Sequence, residues 1–583
     1  MERLFLPILN GKGIVMFSPL PRTSEEFELL EWEQIKPWYH ELLQAPLTPE
    51  FLSTWLKQWS DLSALLDETM VRFEVASTQN TSDEDIARRK LQFLQHIYAP
   101  AQTQAQPLKE RLLASGLEPE NFAIPLRNMR AEAQLYREEN LALLNEDKAL
   151  SDEYFQIGGA QMVSWEGKEV SIISLQAPMA DTVRSRREQA WRTIAQRRLL
   201  DRKKLEELWI KKMRLRQRIA ENAGLESYRE YRWQKLLRFD YTPADCKIFH
   251  QAVEKVIVPA ANQIFEKRRQ LLNIETTRPW DVGVDPRSSV APRAITDVEG
   301  VLQQCVQLFE LIHPDLGRYL QTLLQENFVD LEERPNKAHM GYNLPLEVKR
   351  RAFIFGHLDL LSELITLVCH EAGHAFHVFE TNPLPYIQQR QEGAVPIEFA
   401  EVASTSMEFI GSMYLHQTGL CSQEEARLLR IQHLERMLAS YLPTIIRGDA
   451  FQHWAYENLE QALDPALCAQ KWIELTKLYQ PAIDWSGLEE EMGMGWLWIS
   501  HFFDEPFYYI EYAFAAIGAY QVWNNYLHNP EQALQQYRHA LSLGATRSVP
   551  QLYEAAGAKF VGDVPILELV RDLTLHHLQQ LES

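Results

Sequence analysis

The chain is poor in the features that mark secreted, membrane or nucleic-acid-binding proteins. Its 583 residues hold only five cysteines (Cys246, Cys305, Cys369, Cys421 and Cys468), with no C-x-x-C pair among them. That scarcity excludes a disulfide scaffold and a thiolate zinc site, and it fits a reducing compartment. No apolar run approaches the roughly 20 residues that a membrane span requires. The apolar segment from Leu4 to Leu9 is short, follows Glu2, and has neither a basic leader nor a small-residue cleavage site, so it is not read as a secretory signal. Positive charge is in deficit as well. The formal net charge is −21, a field that repels nucleic acid and anionic membrane surfaces. No repeat of fixed period and no low-complexity tract stands out. The expectation is a cytoplasmic protein with neither nucleic acid nor membrane as partner.

What is present is the balance of an enzyme-sized globular chain, 46% hydrophobic and 24% charged, long enough for a large buried core. From Ser24 to about Leu150 apolar residues recur at steps of three and four, as in the run from Phe51 to Trp59, which predicts successive helices. Two β-prone arms around Glu166-Gly167-Lys168 predict a hairpin between Ala160 and Ser174. It is taken as the end of an N-terminal helical lobe, residues 1–180, with a second domain over 181–583. Between Thr182 and Asn222 a basic helix carries Arg184, Arg186, Arg187, Arg197, Arg198 and Lys211. Apolar Trp191, Ile194, Leu205, Leu208 and Met213 interleave at helical spacing, so the charges are read as a solvated face. Helices continue to Leu272, a turn-rich loop runs from Thr276 to Pro286, and helices resume to about Asn327. Then Ala338–Asn343 and Arg351–Gly356 read as two short strands. They are either a plain hairpin or an edge to which a peptide backbone can add as a further strand.

Chemistry enters directly after those strands. His370-Glu371-Ala372-Gly373-His374 fits H-E-x-x-H, in a stretch predicted to be helical from an Asp359 N-cap to about Glu380. Residues four apart share a helix face, so two imidazoles can reach one zinc ion while the intervening glutamate takes a proton from water. The helix is otherwise apolar, with Glu363, Thr366, His370, His374 and His377 as one polar stripe. Burying such a stripe is costly unless something pairs with it. His377 stands one turn beyond His374, and three ligands on one straight helix cannot surround a tetrahedral ion, so the third ligand is expected from another helix. The helix after Pro396 offers Glu401, with Glu408 two turns on to orient a ligating histidine through its second nitrogen. Glu398 competes as ligand, but it opens that helix and is expected to be exposed.

The run His370-Glu-Ala-Gly-His-Ala-Phe-His377, followed by Phe399-Ala-Glu-Val-Ala-Ser-Thr405, resembles the M3 metallopeptidases, the thimet oligopeptidase and oligoendopeptidase F group. Arg127-Asn-Met-Arg130, the hairpin, Phe353-Ile-Phe355 and Ala540–Ala545 are similar to the same family, and the likeness covers residue 115 onward. The resemblance implies a mainly α fold with a zincin-type core and a small β element, a helical ellipsoid with a deep substrate channel. It implies one zinc ion per chain, short peptides as substrates, and a zinc-dependent oligoendopeptidase in which Glu371 is the base and His370, His374 and Glu401 are the ligands. Family members use a histidine and tyrosines of a C-terminal segment to stabilise the oxyanion. That role carries to His501, Tyr508 and Tyr512, with Tyr509 competing for the place of Tyr508. The alternatives are a zinc carboxypeptidase on a similar helical scaffold and a catalytically silent peptide-binding protein.

Overall fold

The computed structural model describes residues 8, 9, 15–287, 293, 295, 297–338, 340–356, 360–391 and 393–583. Most of the Leu4–Leu9 segment, the strand residue His339 and the expected N-cap Asp359 therefore lie outside the described residues. The chain is mainly helical, and its contacts divide it into two compact units, each assembled from three stretches of sequence. The first comprises Met1–Ala133, Pro292–Ser422 and Gly518–Lys559; the second comprises Gln134–Ala291, Gln423–Ile517 and Phe560–Ser583. This is a division in space, whereas the stretches 1–180 and 181–583 are a division along the chain. Among the described residues no helix is long and apolar enough to cross a membrane.

In the first unit the helices Trp32–Gln44, Leu52–Gln79 and Ala99–Ser115 bury Tyr39, Leu42, Trp55, Trp59 and Leu108 in one core. Their apolar residues lie three and four apart, so each helix turns one face inward. A three-stranded sheet follows, in the order Val329–Asp330, Arg351–Phe355, Tyr342–Leu346. The two longer strands, both read from the sequence, pair antiparallel with Tyr342 opposite Phe355, though the first begins later than Ala338. The two-residue strand Val329–Asp330, parallel to Arg351–Phe355, was not foreseen. Phe353, Phe355 and Leu346 pack on Val75, fastening the sheet to the long helix.

Asp330 anchors the near end of this sheet. Lys337, whose side chain is fully buried, donates to Asp330 Oδ1 at 2.9 Å and to the carbonyls of Asp330, Glu332 and Gly356. Burial raises the Asp330 pKa, but hydrogen bonds from Arg334, Lys337 and Gln79 outweigh it and bring the carboxyl to about 2. Asp330→Asn leaves a buried ammonium without its counter-charge, and a loss of about 3–5 kcal/mol at neutral pH is expected in urea unfolding. Because the folded pKa is depressed, this contribution is complete above about pH 4 and disappears as pH falls towards 2. The gap between wild type and variant should therefore narrow in acid.

In the second unit the hairpin forms as expected, Met162–Trp165 against Lys168–Ser171, with Glu166 and Gly167 both at positive φ, the geometry of a type I′ turn. The basic helix spans Arg184–Asn222, but its charges are not simply a solvated face. Arg187 is buried against Asp281, and Lys212 and Arg216 are buried against Asp147. Those carboxylates come from distant parts of the chain, which helix periodicity alone cannot reveal.

Candidate metal centre

The strand Arg351–Phe355 leads into the helix Leu361–Glu380, which carries the H-E-x-x-H run. Its buried residues, among them Leu361, Leu364, Ile365, Val368, Ala372 and Phe376, recur at helical spacing and hold it inside the first unit. After the intervening loop the chain forms a second helix, Ile397–Gly411, which packs along the first. Gly373 sets how closely they approach. A Cβ at that position would lie 2.5 Å from Ser404 Cα and 2.6 Å from Ala403 O, closer than any side chain tolerates. Two buried tyrosines fix the second helix: Tyr537 Oη donates to Ala403 O and Tyr553 Oη to Glu398 O, each at 2.9 Å.

The close approach brings Glu401 to the histidine pair. Glu401 Oε2 lies 3.3 Å from His370 Nε2 and 3.7 Å from His374 Nε2, and one donor atom from each of the three residues falls within 4.8 Å of the others. A tetrahedral ion with bonds of about 2.0–2.1 Å needs donor–donor edges of about 3.3–3.4 Å, so these spacings suit zinc. Glu408 behaves as read from the sequence: its Oε1 lies 2.8 Å from His370 Nδ1, leaving Nε2 to face Glu401. Ser404 Oγ donates to Glu401 Oε2 at 2.9 Å.

The electrostatics call for a cation at this point. Burial disfavours a charged His370, yet hydrogen bonds to Glu401 and Glu408 hold its pKa well above the usual value. A proton there supplies the positive charge that a metal would otherwise bring between two carboxylates. Burial also raises Glu401, but the charge of His374 and the hydrogen bonds to His370 and Ser404 bring it to about 2. His374 is lowered by burial to about 4, so it is charged only in the acid range where Glu401 titrates. Burial lifts the Glu371 carboxyl to about 7, with His370 opposing and Glu401 and Glu408 reinforcing. The donor set of two imidazoles and one carboxylate, with an ordered outer partner, fits a zinc ion.

Two neighbours differ in their fit to expectation. His377 lies outside the group of three, as anticipated. It is buried, driven by burial to a pKa of about 3, and its ring stands 6.0 Å from that of Phe399. Glu398 was expected to be exposed and is instead buried, at 4% exposure, with Tyr553 bonded to its main chain. Asn343 was not foreseen: from the edge strand its Nδ2 donates to Glu371 O at 3.0 Å, tying the sheet to the motif helix. The predicted aromatic segment belongs to the second unit. There His501 is ringed by Tyr508, Tyr509 and Tyr512 at centroid distances of 5.7, 5.1 and 5.7 Å, and Tyr512 Oη is 3.5 Å from His501 Nε2. Burial lowers the His501 pKa, against the pull of Asp504. Tyr508 precedes the helix Tyr509–His528 rather than lying within it.

The second unit also gathers Cys246, Asp449 and His453, all buried, with donor atoms within 4.8 Å of one another. His250 Nε2 is 2.7 Å from Asp449 Oδ2. An Arg229 nitrogen is 3.3 Å from His453 Nδ1, and His453 Nε2 lies 3.3 Å from Asp449 Oδ2. This cluster is a charged network joining the helices Pro243–Leu271 and Leu442–Glu457.

Gly373→Ala tests the close approach directly. The added methyl must push the two helices apart, which is expected to cost about 1–3 kcal/mol in stability and to weaken zinc binding. Thermal unfolding and metal content of the purified variant report the two effects separately.

The model of peptidase family M3 matches residues 178–570 of the chain. No curated protein matches it. Among solved structures it is similar to PZ peptidase A with an inhibitor, with TM-score 0.85 and 24% identity over 94% of this chain and 97% of the other. It is also similar to a putative oligoendopeptidase F, with TM-score 0.84 and 24% identity over 96% and 99% of the two chains. A putative oligoendopeptidase F from Bacillus anthracis str. Ames has TM-score 0.80 and 21% identity over 94% and 96%.

Proposed function

We propose, because this chain belongs to peptidase family M3 and is thus a metallopeptidase, that it is a zinc-dependent oligoendopeptidase cutting internal bonds of short peptides. In this reading residues 181–583 form the catalytic domain and 1–180 an N-terminal lobe. One zinc ion per chain is held by His370, His374 and Glu401. When bound, the metal supplies Lewis acidity, acidifying a water and polarising the scissile carbonyl. The chain's own groups do the rest. Glu371 takes the proton from the attacking water and passes it to the departing amine. Glu408 keeps His370 in the tautomer whose Nε2 is free to ligate. His501, Tyr508 and Tyr512, by their likeness to the family's C-terminal segment, donate to the oxyanion as charge develops on it. The strand Tyr342–Leu346, at the edge of its sheet, is suited to pair with an extended peptide backbone.

The observation that carries the reading is the approach of Glu401, from a separate helix, to within 3.3 and 3.7 Å of the two motif histidines. Five buried cysteines, none in a disulfide, support a reducing, cytoplasmic setting. The acidic net charge favours peptides over nucleic acid or membrane as partners. Mass spectrometry of a mixed peptide digest tests the activity. Internal cuts are expected; stepwise trimming from the C-terminus would instead indicate a carboxypeptidase, and intact peptides a silent binding protein.

A further inference from the structure

The segment carrying His501 and Tyr508 is gripped by its main chain to an unusual degree. Arg216, fully buried, donates to Phe502 O at 2.7 Å and also to Phe503 O. Arg232 Nε donates to Pro506 O at 3.0 Å. At Phe507 both main-chain polar groups are taken by buried side chains: its N–H donates to Gln452 Oε1 at 2.6 Å, and its carbonyl accepts from Arg238 Nη2 at 2.5 Å. The same Arg238 nitrogen reaches Glu511, which sits beside Tyr512 in the first turn of the following helix.

Phe507 needs this grip. Its φ is +67°, the left-handed region, where a bulky aromatic residue is an outlier and glycine would be at ease. Such a conformation persists only where the surroundings over-determine it. Here the ring is fully buried, packed on His453, Tyr456 and Trp233 at centroid distances of 5.1–5.9 Å, so the side chain cannot be traded for glycine without emptying the core. The main-chain reversal at Phe507 fixes the direction in which Tyr508 leaves and where the helix bearing Tyr512 begins. Arg238 is itself placed by a left-handed residue, Leu237 at φ +57°, which ends the helix Tyr228–Lys235.

We propose that Gln452 and Arg238 are positioning residues for the reaction: by clamping Phe507 left-handed they set Tyr508 and Tyr512 against His501. This rests on the reading that those tyrosines act on the substrate. Neither Gln452 nor Arg238 need touch the peptide. Gln452→Met keeps size and burial but removes the acceptor for the Phe507 N–H. A misplacement of about 1 Å in the tyrosines is expected to lower kcat on the order of 10–100-fold. KM and zinc content should change little.

The decisive experiment is a cycle among wild type, Gln452→Met, the Tyr508→Phe/Tyr512→Phe double variant, and the triple combination, each checked for fold by circular dichroism and for zinc. If Gln452 acts through the tyrosines, its substitution costs less than about threefold once their hydroxyls are gone. A full, multiplicative loss in that background would overturn the proposal, as would wild-type kcat in Gln452→Met alone. Wild-type kcat in the tyrosine double variant would sink the underlying tyrosine role, and the positioning role with it; that failure is read from the double variant by itself. Should Gln452→Met not fold, the same cycle is run with Arg238→Lys. It keeps the positive charge but withdraws the Nη2 donor that Phe507 O and Glu511 share, because the lysine side chain is shorter, and the same two outcomes apply.

Discussion

Glu371→Gln is expected to keep its zinc and lose peptide cleavage by about 10²–10⁴-fold. The substitution preserves the size of a side chain that is only 6% exposed, and the main-chain carbonyl that accepts from Asn343 is untouched. It also leaves the three donor residues untouched, so nothing that holds the metal is removed. What is lost is the ability to accept a proton from the attacking water, because an amide oxygen is far too weak a base. The expected signature is therefore a fall in kcat with little change in KM or metal content. Retained cleavage would mean that another group is the base. Loss of zinc together with activity would mean that Glu371 holds the site together rather than serving the reaction.

Glu401→Ala is expected to act on the metal itself. It removes the only carboxylate of the three-residue group and the partner that spans both histidines at 3.3 and 3.7 Å. Loss of an outer hydrogen bond such as that of Glu408 to His370 typically weakens a site about 10–100-fold. Loss of a direct ligand should exceed that range, so Glu401→Ala ought to emerge from purification largely free of zinc, with Glu408→Gln between it and wild type. Competition with a chelator of known affinity orders the three proteins. Full zinc occupancy in Glu401→Ala would point to another ligand, such as Glu398, which is buried in the first turn of the same helix.

The contrast between these residues shows what a sequence makes legible. His370, Glu371 and His374 are read at once because a helix fixes the relation between positions four apart. Glu401 is reachable by the same logic, since a second polar face on a neighbouring helix needs a partner. Gly373 is not, because its role depends on Ala403 and Ser404, whose approach appears only when two helices pack. The exposure expected for Glu398 failed for a similar reason: a helix-opening glutamate is normally wet, but Tyr553 from a distant part of the chain bonds to it. Arg187 was read as part of a solvated face because its counter-charge, Asp281, lies far away in sequence. The strand Val329–Asp330 is too short to show alternation, and only its pairing with Arg351–Phe355 reveals it. Local spacing is thus readable, while tertiary closeness is not.

The most direct test of the account follows metal and activity in the same sample. Zinc per chain and peptide cleavage are measured in the purified protein, after exhaustive chelation, and after zinc is restored, with His370→Ala alongside. The expected result is one zinc ion per chain, cleavage that vanishes with the metal and returns with it, and a variant that neither binds nor cuts. Cleavage that persists in metal-free protein, or in His370→Ala without zinc, would contradict the account.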